Sequence, residues 1–187
     1  MARAFAEIAF TPSVRSIQEK QGSADSYGRL LQPEVRGGDR LTAREAEFIA
    51  GRDGFYQATV SETGWPYVQF RGGPRGFLKI LGETQIAYAD FRGNRQYVSV
   101  GNLSVDDRVS LILMDYPNRR RLKIWGHATT VGAAEAPAMV GALQDEDYQA
   151  LSERAVIITI AAFDWNCPQH IPQRYSLDEL EQLKLLD

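Results

Sequence analysis

The spacing of apolar and polar positions changes along the chain, and each change marks an element. Residues 1–40 carry little regular pattern apart from Thr11 to Lys20, where Pro12 near the start and apolar Val14 and Ile17 predict a short helix ending at Gly22. The stretch from there to Gly37-Gly38 reads as an arm or loop. Thr42-Ala43-Arg44-Glu45 is a capping box, because a Thr side chain can accept the third amide of a helix while Glu45 reaches back to the Thr42 amide. A helix over 42–51 follows, closing at Gly51. From Gly54 the period becomes that of strands. Phe55 to Ser61 and Tyr67 to Arg71 flank a turn at Glu62-Thr63-Gly64-Trp65-Pro66, and Gly72 to Gly76 interrupts before Phe77 to Leu81 and Gln85 to Ala89. Four strands on tight turns predict an antiparallel meander.

Gln96 to Leu103 places Tyr97, Val100 and Leu103 on one side and predicts a short helix. Strands are predicted at Arg108 to Asp115 and Arg121 to Val131, joined by a turn at Tyr116-Pro117-Asn118. Ala-rich 133–143 and 145–153 read as helical, Ala155 to Phe163 as a β-branched strand, and Ser176 to Lys184 as a helix opened by a second capping box, Ser176 with Glu179. The fold class is therefore mainly β with peripheral helices, a closed or partly closed antiparallel barrel without alternating βαβ units. One domain is expected: an N-terminal arm with a short helix over 1–40, and the barrel with its C-terminal helix over 41–187.

A chain of 187 residues, 44% hydrophobic and 24% charged, has the size and composition of one ordinary globular domain. No apolar run approaches the roughly 20 residues that span a bilayer, and the first residues lack the apolar core of a signal peptide. With Cys167 as the lone cysteine, a cytoplasmic setting is the expectation. A net charge of −3 argues against a nucleic-acid partner, so any anion must be met by local clusters: Arg71 with Arg75, Arg92 with Arg95, Arg119 to Arg121 with Lys123. A nucleophile elbow is missing and His127 and His170 are the only histidines, which removes hydrolase triads. Cys167 and His170 lack a second ligand pair, so no metal site is expected. Neither a Gly-x-Gly-x-x-Gly turn into a helix nor a P-loop is present.

What remains is the corner from Tyr88 to Gln96. A helix beginning near Asn94 would turn its free amides toward an anion, with Asn94 as cap and Arg95 forking two hydrogen bonds to phosphate oxygens. With this corner, the Gly64-Trp65-Pro66 turn into Tyr67 to Arg71, the strand ending Tyr88-Ala89-Asp90, the apolar strand 109–114 and the basic strand from Arg120 to Gly126, the sequence resembles the pyridoxamine 5'-phosphate oxidase-like family of flavin-binding split barrels over about 42–165. The resemblance implies a six-stranded antiparallel split barrel and a homodimer with FMN at its interface. It implies that Asn94, Arg95 and Gln96 meet the FMN phosphate. The isoalloxazine would lie against Gln69, Phe70, Arg71 and Gly72 and against Tyr88, Ala89 and Asp90, with Arg121 or Lys123 reaching in from the later strand. The chain departs from the family's vitamin B6 oxidases after Phe163, where the Arg-x-His segment gives way to Asp164 to Arg174. Pro168 and Pro172 stiffen this stretch. Trp165, Asn166, Gln169 and His170 are the candidates there for a lid over the partner's flavin, Trp165 by stacking and His170 by hydrogen bonding.

Three functions follow as expectations. One is an FMN-dependent oxidoreductase acting on a small molecule, with NAD(P)H a candidate electron donor. Another is a non-catalytic flavin- or haem-binding protein for storage or sensing, and the third an interaction domain without ligand.

Overall fold

The structure, a computed structural model, describes residues 3–165 and 168–184. Its helices are α1 (Arg3–Ala9), α2 (Pro12–Lys20), α3 (Ala24–Gly28), α4 (Ala43–Ala50), α5 (Val98–Leu103), α6 (Pro137–Leu143) and α7 (Leu177–Gln182). Its strands are β1 (Gly54–Val60), β2 (Pro66–Gly72), β3 (Lys79–Gly82), β4 (Gln85–Phe91), β5 (Arg108–Asp115), β6 (Arg120–Gly132) and β7 (Ser152–Trp165). Both capping boxes form, Thr42 with Glu45 and Ser176 with Glu179.

The strands make one antiparallel sheet in the order β2-β1-β5-β6-β7-β4-β3. This corrects the meander: β1 pairs with β2 and β3 with β4, but Gly72 to Gly76 carries the chain to the far edge instead of turning it back. β4 then pairs with β7, Tyr88 opposite Val156. The short β3 is the seventh strand, and it covers only Gln85 to Ala87 of β4. Tyr88 to Phe91 therefore have no strand on that side and face β2 and β1, whose side chains reach β4 in place of a ladder. Arg71 Nη1 lies 2.7 Å from Asp90 Oδ1, and the Tyr88 hydroxyl donates to Gln57 Oε1 at 2.8 Å. This is the seam of the split barrel. Alternation drives closure: on β5 Val109, Leu111 and Leu113 turn inward, and on β6 Leu122 and Ile124. They meet Phe55, Phe77 and Tyr88 in one core, with Phe55 and Phe77 stacked at 5.5 Å.

On the outside, Ala87, Ala89 and Ala155 leave room for Val140 and Leu143 of α6. α6 is shorter than the Ala-rich stretch suggests, because Gly132 to Ala136 turn first and Pro137 can enter a helix only in its first turn. The expected helix over 145–153 does not form: Tyr148 N–H bonds back to Asp145, and from Ser152 the chain pairs with β4. α1 and α3 form inside the expected arm. α1 packs on the outer face of β6, Phe5 stacked on Trp125 at 4.4 Å and 21°, while the Ala4 N–H donates to Gly37. No helix among the described residues is long and apolar enough to cross a membrane.

Candidate functional site

A groove of about 440 Å³, counting its open mouth, lies at the seam. β2 supplies Tyr67, Gln69 and Arg71, β4 supplies Asp90 and Phe91, the corner supplies Gly93 to Tyr97, α5 supplies Val98 to Val100, and β7 supplies Glu153 and Arg154. Alternation on β2 turns Tyr67, Gln69 and Arg71 to this side and leaves Val68 and Phe70 outside.

The corner is not the start of a helix. Arg95 and Tyr97 take left-handed backbone angles, φ 63° and 54°, and α5 begins only at Val98, so the capping role expected of Asn94 falls away. Its Oδ1 accepts the Gln96 N–H at 3.2 Å instead and holds the loop. The Ser99 hydroxyl donates to Gln69 at 3.2 Å and the Asn102 amide to Thr59 at 2.9 Å, pinning α5 against the edge of the barrel.

Charge is concentrated around one buried carboxylate. Asp90, 4% exposed, receives Arg71 on Oδ1 and Arg154 Nη1 on Oδ2. Glu153 receives Arg92 Nε at 2.8 Å, the Tyr97 hydroxyl at 3.1 Å and Arg154 Nη2 at 3.1 Å. The hydrogen bond from Arg92, then that from Tyr97 and the charge of Arg154, hold the Glu153 carboxyl below its ordinary range against its partial desolvation. The Tyr97 ring also covers the Arg154 guanidinium at 5.3 Å. Burial, with Asp90 nearby, pushes the Tyr88 phenol well above its ordinary value despite the Arg71 charge. Arg71 Nε, shut off from solvent, has no hydrogen-bond partner among the described residues.

Of the residues picked from the sequence, the groove gathers Gln69, Arg71, Asp90, Asn94, Arg95 and Gln96. The others lie elsewhere in this chain. Phe70 is exposed on the outer face of β2 against Tyr56 at 5.4 Å, and its ring crosses Gly72, where a Cβ would stand 2.9 Å from it. Tyr88 is in the core and Ala89 under α6. Arg121 and Lys123 point outward from β6, Lys123 Nζ 3.3 Å from Asp164 and 4.3 Å over the Phe5 ring. The Trp165 indole N–H donates to Glu45 Oε1 at 2.6 Å, and its ring meets Phe48 edge-on and lies under Arg44 and Arg120. Burial tends to raise the Glu45 carboxyl, but the hydrogen bonds from Thr42 and Trp165 outweigh it and hold the group below its ordinary value. Asn166 lies outside the described residues. Gln169 and His170 are exposed, and the segment after them is tied to its own β5–β6 turn: Gln173 donates to Pro117 and accepts from Arg119, and Arg174 covers Tyr116.

Sequence reasoning missed Tyr67, Tyr97, Ser99, Glu153 and Arg154. Only the last two had a signal, two charges at the mouth of a β-branched strand, and that reads equally as surface.

An antiparallel split barrel with a cationic groove at its seam defines the class of protein. The sequence model of the pyridoxamine 5'-phosphate oxidase family matches residues 41–164, two thirds of the chain, and the protein belongs to that family. No curated protein matches the chain. Among solved structures, an FMN-binding protein from Syntrophomonas wolfei subsp. wolfei has a TM-score of 0.52 at 12% identity, covering 83% of this chain and 97% of its own. A general stress protein 26-related protein of the pyridoxinephosphate oxidase family from Clostridium acetobutylicum has 0.50 at 16%, over 73% and 94%. HupZ from Group A Streptococcus has 0.50 at 14%, over 72% and 99%. At these identities the likeness is one of fold.

Proposed function

We propose that the groove holds the phosphate end of FMN and that the protein is an FMN-dependent oxidoreductase acting on a small molecule, with NAD(P)H as electron donor. The observation that carries the reading is the charge of the groove. Arg71, Arg95 and Arg154 line it against Asp90 and Glu153, and Arg92 is drawn in through Glu153. Four guanidinium groups against two carboxylates leave two positive charges, the formal complement of a phosphate dianion, and the unpartnered Arg71 Nε is a buried donor that such an oxygen would satisfy. Arg95 and Gln96 would close on the phosphate from the corner, and Gln69 would orient the rest of the ligand along β2. Bound flavin supplies the electron-transfer chemistry, which explains why no acid–base triad is needed.

The open mouth of the groove suits a site completed by a second copy. Tyr56, Val68, Phe70 and Ile112 are 42%, 60%, 57% and 36% exposed on the outer face of β1, β2 and β5, an apolar surface of the kind that homodimers cover. Arg121, whose Nε lacks a hydrogen-bond partner among the described residues, points outward from β6 and would meet the second copy's flavin. A cytoplasmic setting, where NAD(P)H is at hand, belongs to the same reading. The test is a titration with FMN followed by flavin absorbance and fluorescence. Saturable quenching with a yellow product is expected, and a protein that stays colourless after incubation with excess FMN overturns the proposal. Bound flavin that neither NADH nor NADPH bleaches would remove the redox half and leave a flavin-binding protein.

A further inference from the structure

We infer that the outer face of the barrel carries a second small-molecule site, apart from the groove, and that it takes a neutral aromatic molecule bearing one hydroxyl group, a phenol. It is independent of any flavin in the groove.

Strand alternation sets the two sites on opposite sides of one wall. Tyr67, Gln69 and Arg71 turn to the groove, whereas Pro66 and, on β1, Ala58 and Val60 face a hollow of about 760 Å³, counting its open mouth. Small-ligand sites usually measure about 300–1,000 Å³. The hollow exists because the strands carry small residues there: Ala58 on β1, Ser110 on β5, Gly126 on β6 and Ala161 on β7. Ile8 of α1 and the Trp125 indole wall it. Trp125 is fixed, stacked on Phe5 at 4.4 Å and donating Nε1–H to Ser110 Oγ at 2.9 Å. A rigid aromatic wall beside a floor of small residues suits a flat apolar ring.

Polar atoms at one end decide which ring. Arg108 faces His127 and Ser110 faces Trp125 in the β5–β6 ladder, so Ser110 and His127 are diagonal neighbours on one face. His127 Nδ1 lies 2.9 Å from Asp107 Oδ1. An ionised carboxylate only accepts, so Nδ1 carries the hydrogen and Nε2 of the neutral ring is an acceptor. Asp107 stands outside the hollow, and the edge of the imidazole that lines it is therefore the one turned from Nδ1. Ser110 Oγ accepts from Trp125 and keeps its own hydrogen to donate. One acceptor and one donor side by side are the complement of a single hydroxyl group. Charge points the same way: Arg108, the cation on the rim, is matched by Asp106, Nε to Oδ1 at 2.8 Å, and the Asp107 carboxylate beyond His127 repels anions.

The experiment follows the Trp125 indole N–H of the unmodified protein by NMR, the signal being identified by its loss in Trp125→Phe. The probes are 4-methylphenol and 4-methylanisole, which keeps the ring and lacks the hydroxyl hydrogen. Saturable shifts with 4-methylphenol are expected, and 4-methylanisole should bind about 3- to 10-fold more weakly, the size of one hydrogen bond between uncharged groups. His127→Leu, at an exposed position, should bring 4-methylphenol down to the level of 4-methylanisole and leave the ether as it was. Ala58→Leu should fill the floor and abolish the binding of both. Absence of a saturable shift at Trp125, equal affinity for the two probes, or undiminished 4-methylphenol binding in His127→Leu overturns the inference, as does binding that survives Ala58→Leu.

Discussion

Asp90→Asn changes one atom in shape and removes the only negative charge on which both Arg71 and Arg154 converge. In the folded protein Asp90 is 4% exposed and receives a guanidinium on each oxygen, Arg71 at 2.7 Å. Each charge-assisted bond to a carboxylate contributes about 1.5–3 kcal/mol, and an amide keeps at most one of them, since its nitrogen cannot accept. The two guanidinium groups are then left nearly buried beside each other. Removal of one partner from a buried ion pair costs about 3–5 kcal/mol, and that figure applies here because both cations lie behind the same seam. For a chain of 150–250 residues each kcal/mol moves Tm by about 2–4 °C, so a fall of roughly 6–20 °C is expected. Urea unfolding followed by far-ultraviolet circular dichroism gives the free energy directly, and an unchanged slope shows that the unfolded state has not altered. Arg71→Gln combined with Asp90→Asn should recover part of the loss, because it removes one stranded charge. A loss under about 1 kcal/mol for Asp90→Asn alone would refute the reasoning and mean that solvent reaches the seam.

Three further outcomes follow from particular contacts. The carboxyl of Glu45 is held below its ordinary value by Thr42 and Trp165, so the stability it contributes is complete above the usual carboxylate range and lost as pH falls through its folded value. Glu45→Gln should cost about 1–3 kcal/mol at neutral pH and flatten the decline of Tm on acidification, and an unaltered pH profile would dismiss the role. Gly126→Ala places a Cβ 2.5 Å from the Thr159 carbonyl at the β6–β7 bulge. It should destabilise by about 1–3 kcal/mol in urea, with a wild-type midpoint as the contrary result. Phe70→Glu on the exposed face of β2 should lower the mass seen by sedimentation equilibrium without lowering Tm, whereas an unchanged mass would exclude this face from self-association.

Much of the fold could be read from residues with local causes. Thr42 with Glu45 and Ser176 with Glu179 announce two helix starts through bonds that span three residues. The alternation of Val109, Leu111 and Leu113 announces β5 because one face of that strand meets only core. Pairing order could not be read. Nothing in Tyr88 specifies Val156 as its partner, since β5 and β6 lie between the two strands in the chain. The helix expected over 145–153 fails for the same reason: the local preference of Ser152 and Glu153 yields to the strand that pairs with β4. At the site, Arg71 and Arg95 were legible as cations near element ends. Arg154 was not, because its meaning depends on Asp90, sixty-four residues away. The left-handed angles at Arg95 and Tyr97 were equally hidden, as neither residue type favours them.

A barrel closed by backbone ladders on every side would resist opening equally around its circumference, and this one does not. Between the second half of β4 and β2 the wall is made of side chains alone. The contacts of Arg71 with Asp90 and of Tyr88 with Gln57 of β1 close that side, and local opening is expected to begin with their parting. The amides of Tyr88 to Phe91 that face β2 should exchange with solvent well before those of β5 and β6. A ligand that spans the groove would act as the missing stave, raising protection along that line more than anywhere else in the molecule.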